Sequence, residues 1–408
     1  MPTFHLFERF GVELEYMIVD ARTLDVRPVA DLILAKAGGE AECDEADFGR
    51  LSWSNELVQH VIEFKCSAPE PSLDGLDELF QTEVNRANEM LAALGCRLLP
   101  TGMHPWMDPH RETKLWPYGN KEIYRAFDRI FDCRGHGWSN LQSTHLNLPF
   151  HGDDEFHCLH AAIRLILPLL PALSASTPFA DGAATPALDM RLEAYRHNCA
   201  RVPSVTAGVV PERMRSKAEY EEKILGRIYA DMAPLDPDGV LHDEWANARG
   251  AIARFCRDTI EIRVLDLQEC PRADLAIVQC AACLVRALVE GRVSTLELQD
   301  AADQTELESA FKACMRDASG AIIDAPTTFA ALGLSGHGPM QAAEIWAQLL
   351  ERFAPKQAPW REVVEHIVSK GTLAERIRAA AGPEPSHERL REVYARLADC
   401  LSTGTLFS

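Results

Sequence analysis

An α+β fold follows from three features of the sequence. Four short segments read as strands, three of them alternating polar and apolar residues; helical spacing fills the stretches between them, and the pattern beyond Gly291 is almost wholly helical. Alternation leaves one face of each strand open, which favours an antiparallel sheet over a parallel one buried on both faces.

The elements run in this order. Phe10 to Asp20 places Val12, Leu14, Tyr16 and Ile18 on one face and Glu13, Glu15 and Met17 on the other. Leu57 to Lys65 is β-branched and apolar and reads as a second strand. Ser72 can cap a helix whose Leu73, Leu76, Phe80, Val84, Ala87, Leu91 and Leu94 keep helical spacing until Gly95. Thr144 to Phe150 alternates, and so does Thr259 to Leu267. Phe156 to Leu173, Met190 to His197, Ser216 to Met232 and Arg272 to Glu290 read as helices, the last following Pro271. Leu296 to Ala318, Met340 to Phe353, Trp360 to Ser369, Leu373 to Ala381 and His387 to Leu401 continue as helices between Gly and Pro breaks. The reading is a sheet-bearing part, residues 1–290, with a helical region, 291–408, packed on it; one single domain is the alternative.

Composition excludes several classes. With 408 residues, 47% of them hydrophobic, the chain can bury a core without disulfides or structural metals. A net charge of −20 with no Lys/Arg-rich run argues against a nucleic-acid partner. Met1 to Val12 carries Glu8 and Arg9 where a signal peptide needs an apolar stretch. The most apolar run, Ala161 to Leu173, contains Arg164, Pro168 and Pro171 and is too short for a bilayer, so no membrane partner is expected. Cys280 and Cys283 form a CxxC inside an apparent buried helix, and scattered unpaired cysteines point to the reducing cytoplasm. No GxGxxG or P-loop occurs.

Chemistry gathers on the polar faces of the strands. Glu13 and Glu15 project from one face about 7 Å apart, either as a solvated outer face or as a cation site. Glu261 and Arg263 share a face, as a surface ion pair or as a cation ligand beside a phosphate-binding guanidinium. His145 and Asn147 share another. Glu63 stands between Ile62 and Phe64, where a carboxylate is costly unless its face lines a site. Glu56 lies seven residues before Glu63, so a regular strand would put the two on opposite faces; a bulge, or a strand beginning after Glu56, would let both serve one site. Five glutamates and a histidine on one open face make a poor water-facing surface and a good site for Mg²⁺ or Mn²⁺.

The ordered motifs GVELE, NELVQHVIEF, NLQSTHLNLPF, SASTPF with Tyr195-Arg196, and TIEIRVLD resemble the glutamate–cysteine ligase family over roughly residues 8 to 290, specifically its bacterial carboxylate–amine ligase branch, relatives of glutamine synthetase. The resemblance implies a curved antiparallel sheet forming a catalytic funnel. It implies one Mg²⁺ on Glu13, His145 and Glu261 and another on Glu15, Glu56 and Glu63. Arg263 and Arg196 would contact the transferred phosphate, and His104, Asn147 and Tyr195 would serve the substrate. The segment from Thr101 to Asn140, rich in Trp and His, reads equally as anchored surface loops or as a substrate lid.

The activity so implied is amide formation, with ATP as co-substrate, through an acyl phosphate, between an amino-acid carboxylate (L-glutamate) and an amine. A two-metal hydrolase and a non-catalytic nucleotide- or amino-acid-binding regulator are the alternatives. Exposed faces of the C-terminal helices could support a homo-oligomer, though nothing in the sequence requires one.

Overall fold

Alternating residues bury one face of each strand, and in the computed structural model those faces meet in one sheet. The structure describes residues 4–242, 245–334, 336 and 338–408. The strands are β1 (Gly11–Asp20), β2 (Glu45–Asp47), β3 (Leu51–Asn55), β4 (Val61–Cys66), β5 (Cys96–Leu99), β6 (Ser143–Pro149), β7 (Ala251–Arg254) and β8 (Thr259–Asp266). Among the described residues they form one open, eight-stranded sheet in the order β2-β3-β4-β1-β6-β8-β7, with β5 beside the second half of β1. Every pairing is antiparallel.

One face carries the main core. Val12, Leu14, Tyr16 and Ile18 of β1, Ile62 and Phe64 of β4, Leu146 and Leu148 of β6, and Ile260 and Ile262 of β8 join a continuous apolar cluster. It includes residues of three long helices, α1 (Leu76–Ala92), α2 (Gly152–Ile166) and α3 (Pro271–Val289). Full burial of a side chain such as Phe64 contributes about 1.5–3 kcal/mol, so this cluster is the principal source of stability.

The helices beyond Gly291 pack in two ways. Those at Ala342–Phe353 (α4) and Pro359–Lys370 (α5) place Ile345, Trp346, Trp360 and Val364 in the main core. Those at Leu373–Ala381 (α6) and His387–Thr403 (α7) lie over the opposite face of the sheet. There Leu373, Ile377, Leu390, Val393, Tyr394 and Leu397 meet Met17 and Val19 of β1 and Leu99 of β5. This face is therefore apolar and covered at one end, and it is polar where Glu13 and Glu15 project.

Several boundaries differ from the sequence reading. The strand expected at Leu57 begins at Val61, because residues 56–60 turn the chain between β3 and β4; Gln59 N donates to Lys114 O at 2.9 Å in that turn. Gly75, not Ser72, stands at the N-cap of α1, and Ser72 Oγ instead accepts from Asp74 N. Pro168 and Pro171 lack the N–H that a continuing helix needs, so α2 ends at Ile166 and two short helical turns follow. Asp303 caps a fresh helix, Gln304–Asp317, inside the stretch expected to be continuous from Leu296. Ile322–Ile323 pairs with Met340–Gln341 as a small ladder in the otherwise helical region. No helix among the described residues is long and apolar enough to cross a membrane.

Asp274, in the first turn of α3, ties that helix to the sheet. Its Oδ1 accepts from Thr144 Oγ1 at 2.6 Å and from Gln268 N at 2.9 Å, and burial pushes its carboxyl up to about 8. A carboxyl whose folded pKa lies above its unfolded value of about 3.9 favours the folded state at low pH, and that contribution is lost as pH rises toward 8. Asp274→Asn keeps the acceptor and removes the titration. Urea unfolding at about pH 5 and about pH 8 should show a smaller stability difference in the variant than in the wild type; equal slopes would mean that Asp274 is ionised in the fold.

Candidate active site

Antiparallel register arranges the polar face in rows. Glu13 of β1 stands opposite Lys65 of β4 on one side and His145 of β6 on the other. Glu15 stands opposite Glu63, and Glu63 opposite Ser54 of β3. Asn147 lies between Gly11 and Glu261. Directly opposed Cβ atoms in such a sheet are about 4.5–5.5 Å apart, so these side chains are forced together. Gly11 matters here, because a Cβ at that position would lie 3.1 Å from Cβ of Asn147.

The pairing of β8 with β6 shifts register between Ile262 and Leu265. A bulge re-aims its side chains, and Arg263 sits within it. Arg263 N donates to Gly250 O at 2.9 Å, while Arg191 donates to Arg263 O at 3.3–3.4 Å. Arg191 is in turn ion-paired with Asp266, which is fully buried and also accepts from Ser176 and Thr177. The guanidinium of Arg263 is thus presented from a pinned backbone.

Ligand-capable atoms of Glu13, Glu63 and His145 all lie within 4.8 Å of one another, and so do those of Glu15, Glu56 and Glu63. Glu63 belongs to both groups. Glu56 reaches its group from the turn after β3, so its parity with Glu63 along a strand does not arise. His145 links the groups: Nδ1 is 2.8 Å from Glu13 Oε2, and Nε2 is 2.8 Å from Ser143 Oγ, which donates to Glu15 Oε2 at 3.0 Å. Ser143 N also donates to Glu15 Oε2 at 2.6 Å, and Asn147 Nδ2 donates to Glu13 Oε1 at 3.1 Å. Glu261 lies outside both groups. Its carboxylate is 4.0 Å from His145 Nδ1, and it accepts from Arg263 Nη1 at 2.8 Å and Arg254 Nε at 2.9 Å.

The electrostatics divide along the same line. Burial, then the charges of Glu15 and Glu63, push Glu56 well above the usual carboxylate range. Burial, then Glu13, push Glu63 up as well. Burial also opposes ionisation of Glu261, but Arg263, Arg254 and His145 outweigh it and hold this carboxylate well below its ordinary value. Glu13 is likewise lowered, the hydrogen bond from His145 overcoming burial, and His145 is raised in return. Carboxylates whose own neighbours oppose their ionisation are a donor set whose repulsion a divalent cation would relieve. Carboxylate oxygens with one imidazole match the donors that Mg²⁺ and Mn²⁺ take.

Two of the other expected residues, His104 and Arg196, make their contacts away from the acidic groups, and Tyr195 lies near Arg263. His104 is fully buried; its Nε2 is 2.7 Å from Leu24 O and its Nδ1 accepts from Trp106 N, so backbone groups occupy both ring nitrogens and burial lowers its pKa to about 4. Arg196 makes a two-pronged pair with Glu193 and lines a cleft of about 290 Å³ with Gly208, Glu308 and Lys312. Its neighbour Tyr195 is raised by burial and feels the charges of Arg263 and Glu261. In the Trp-rich segment, Trp116 Nε1 donates to Asp44, Trp138 Nε1 to Asn198 O and Trp106 Nε1 to Asp25, so all three act as anchors. Tyr124, on the helix Lys121–Phe131, accepts from Asn55 and lies within reach of the charge of Glu56.

Two cations escaped the sequence reading. Lys65 follows Glu63 by two, so strand parity alone could have placed it on the site face. Arg254 ends the four-residue strand β7, too short for alternation to mark.

Because Glu56 and Glu63 are crowded toward protonation, a divalent ion must displace protons to bind. Calorimetric titration with Mn²⁺ in buffers of different ionisation enthalpy should show proton release at about pH 6 and tighter binding at about pH 8. Glu56→Gln should reduce both effects. Affinity independent of pH and buffer would mean that these carboxylates are already ionised.

The sequence model described as glutamate-cysteine ligase family 2 matches residues 9–396. An uncharacterized protein of Archaeoglobus fulgidus is 33% identical over 398 residues, covering 97% of this chain and 99% of that one. A Bradyrhizobium sp. (strain BTAi1) protein named "Putative glutamate--cysteine ligase 2" is 29% identical over 312 residues, covering 73% of this chain and 65% of that one. The crystal structure of the glutamate–cysteine ligase of Francisella tularensis in complex with AMP matches with a TM-score of 0.59, over 98% of this chain and 90% of that one. At 12% identity this is a likeness of fold, that of an open antiparallel sheet with flanking helices. Since the family model spans nearly the whole chain, from the residues just before β1 into α7, the protein belongs to glutamate–cysteine ligase family 2.

Proposed function

We propose that the protein is an Mg²⁺- and ATP-dependent carboxylate–amine ligase that joins the carboxylate of an amino acid, L-glutamate, to an amine. The observation that carries this reading is the pair of acidic groups sharing Glu63, with Arg263 and Arg254 held beside them by Glu261. Family membership and an AMP-bound relative of the same fold support the nucleotide. Twelve cysteines scattered through apolar patterns suit a reducing cytoplasmic setting.

In the proposed reaction a carboxylate oxygen of the substrate attacks the γ-phosphorus of ATP, the bond to the β-phosphate oxygen breaks, and ADP leaves. The amine nitrogen then attacks the acyl carbon, phosphate departs with the carbon–oxygen electron pair, and the nitrogen gives up a proton. Glu13, Glu63 and His145 would hold one Mg²⁺ and Glu15, Glu56 and Glu63 another, with Glu261 at their border. Bound there, Mg²⁺ would neutralise phosphate charge and orient the transferring group. Arg263 stabilises charge on the transferring oxygens with a planar fork of donors, fixed in place by the bulge and by Arg191. Glu15, Glu63, His145 and Glu261 are buried, so their charges act more strongly than in bulk water. No protein nucleophile is needed.

Phosphate release from ATP, measured with Mg²⁺ and L-glutamate across a panel of amines that includes cysteine, tests the reading. Release that depends on both partners is expected; hydrolysis without ATP would favour a two-metal hydrolase, and binding without turnover a regulator. Glu261→Gln should lower kcat by at least about 100-fold with the fold retained, since the glutamate positions both guanidiniums. Arg263→Lys should lower kcat by about 100- to 1,000-fold, because a point charge cannot copy a forked contact. An unchanged rate in either variant removes that residue from the mechanism.

A further inference from the structure

Among the described residues, Lys65 is the one cation placed directly against a carboxylate that both acidic groups share. Its Nζ is 3.3 Å from Glu63 Oε1, 3.2 Å from Glu45 Oε2 and 2.9 Å from Ser54 Oγ. Ser54 Oγ itself donates to Glu63 Oε1 at 2.8 Å. Register puts Lys65 opposite Glu13, and its side chain is 27% exposed, at the rim between the buried acidic floor and solvent. Glu45, its outer partner, is 51% exposed and lies on the short strand β2. The ammonium therefore has an inner partner within the cation groups and an outer one beyond them, on a flexible four-carbon stem.

We propose that Lys65 is a positioning residue that holds Glu63 with its own charge and competes with a divalent ion there, so that the ion is retained mainly when an anionic nucleotide phosphate binds with it. The inference rests on the ligase reading for the nucleotide alone. A divalent ion on Glu63 and an ammonium 3.3 Å from the same carboxylate repel each other. Phosphate oxygens add negative charge at that point and relieve the repulsion, and Glu45 receives the displaced ammonium. Binding of ion and nucleotide is then coupled, and the coupling is reciprocal. The arrangement keeps a crowded carboxylate set from filling with stray divalent ions while nucleotide is absent.

The test uses the full chain and Mn²⁺ as probe, at about pH 8 where proton competition is least. Mn²⁺ affinity is measured by calorimetry or by electron paramagnetic resonance for wild type, Lys65→Met and Lys65→Arg, each with and without a non-hydrolysable ATP analogue. A neighbouring charge at this range changes the ion affinity of a carboxylate by about tenfold or more. Lys65→Met is expected to bind Mn²⁺ alone at least about tenfold more tightly than wild type and to show a smaller gain on adding the analogue. Lys65→Arg, which keeps the charge, should stay near wild type in the absence of analogue. Equal or weaker Mn²⁺ binding by a folded Lys65→Met, judged by its melting curve, would overturn the proposal and leave Lys65 a structural ion pair. Tighter Mn²⁺ binding in Lys65→Met, with no response to the analogue in any of the three proteins, would sustain the competition at Glu63, refute its relief by phosphate and count against the nucleotide reading itself.

Discussion

Repulsion among carboxylates on one sheet face is the constraint around which the rest of the structure is arranged. Two unit charges at the separations found within the acidic groups repel by about 3–4 kcal/mol at an effective dielectric near 20. That is a large fraction of the net stability of a typical domain. The sequence opposes it from three sides. His145 stands between Glu13 and Glu15, Lys65 meets Glu63, and Arg254 and Arg263 hold Glu261. What repulsion remains weighs most on Glu56 and Glu63, the two carboxylates of these groups raised above their ordinary range. In the proposed reading, the same apportionment would decide where a divalent ion gains most.

Such a floor can persist only because the reverse face is so thoroughly apolar. Val12, Leu14 and Tyr16 alternate with Glu13 and Glu15 along β1 and are fully buried against the helices behind the sheet. A register slip of one residue would drive both glutamates into that core and Tyr16 toward the site, at a cost that no other contact could offset. Stability of the fold and geometry of the site are thus set by one periodicity. The C-terminal helices reinforce it, since α6 and α7 seal Met17 and Val19 at the far end of the same strand.

Strand parity made the long strands of the site legible in the sequence. β1, β6 and β8 are long enough for alternation to declare their faces, and Glu13, Glu15, His145, Asn147 and Glu261 fall where parity puts them. Glu56 and the start of β4 were ambiguous because a turn of apolar residues, Leu57 and Val58, imitates strand composition. β2, β3 and β7 have three to five residues, below the length at which a period shows, and with β7 went Arg254. Pairing order and the bulge at Arg263 depend on contacts distant in sequence, which local pattern does not encode. His104 and Arg196 entered through family resemblance alone; their partners in the structure are backbone carbonyl and amide groups for the first and Glu193 for the second.

A rigid acidic floor also limits what can distinguish one carboxylate–amine ligase from another. In the proposed reaction, cation and phosphate chemistry would depend mostly on register-fixed side chains that tolerate little displacement, because a shift of about 1 Å in a reacting group can cost two orders of magnitude in rate. Substrate choice must then come from groups that approach the floor from elements outside the central register. In this chain the turn bearing Glu56 and the helix Lys121–Phe131, with Tyr124 directed toward it, meet that description. They are joined through the hydrogen bond from Asn55 to Tyr124, so a change in one is felt by the other and reaches Glu56. Selectivity for the amine and loading of the cation group are for that reason expected to vary together across substitutions in this corner, whereas substitutions on the floor itself act on turnover.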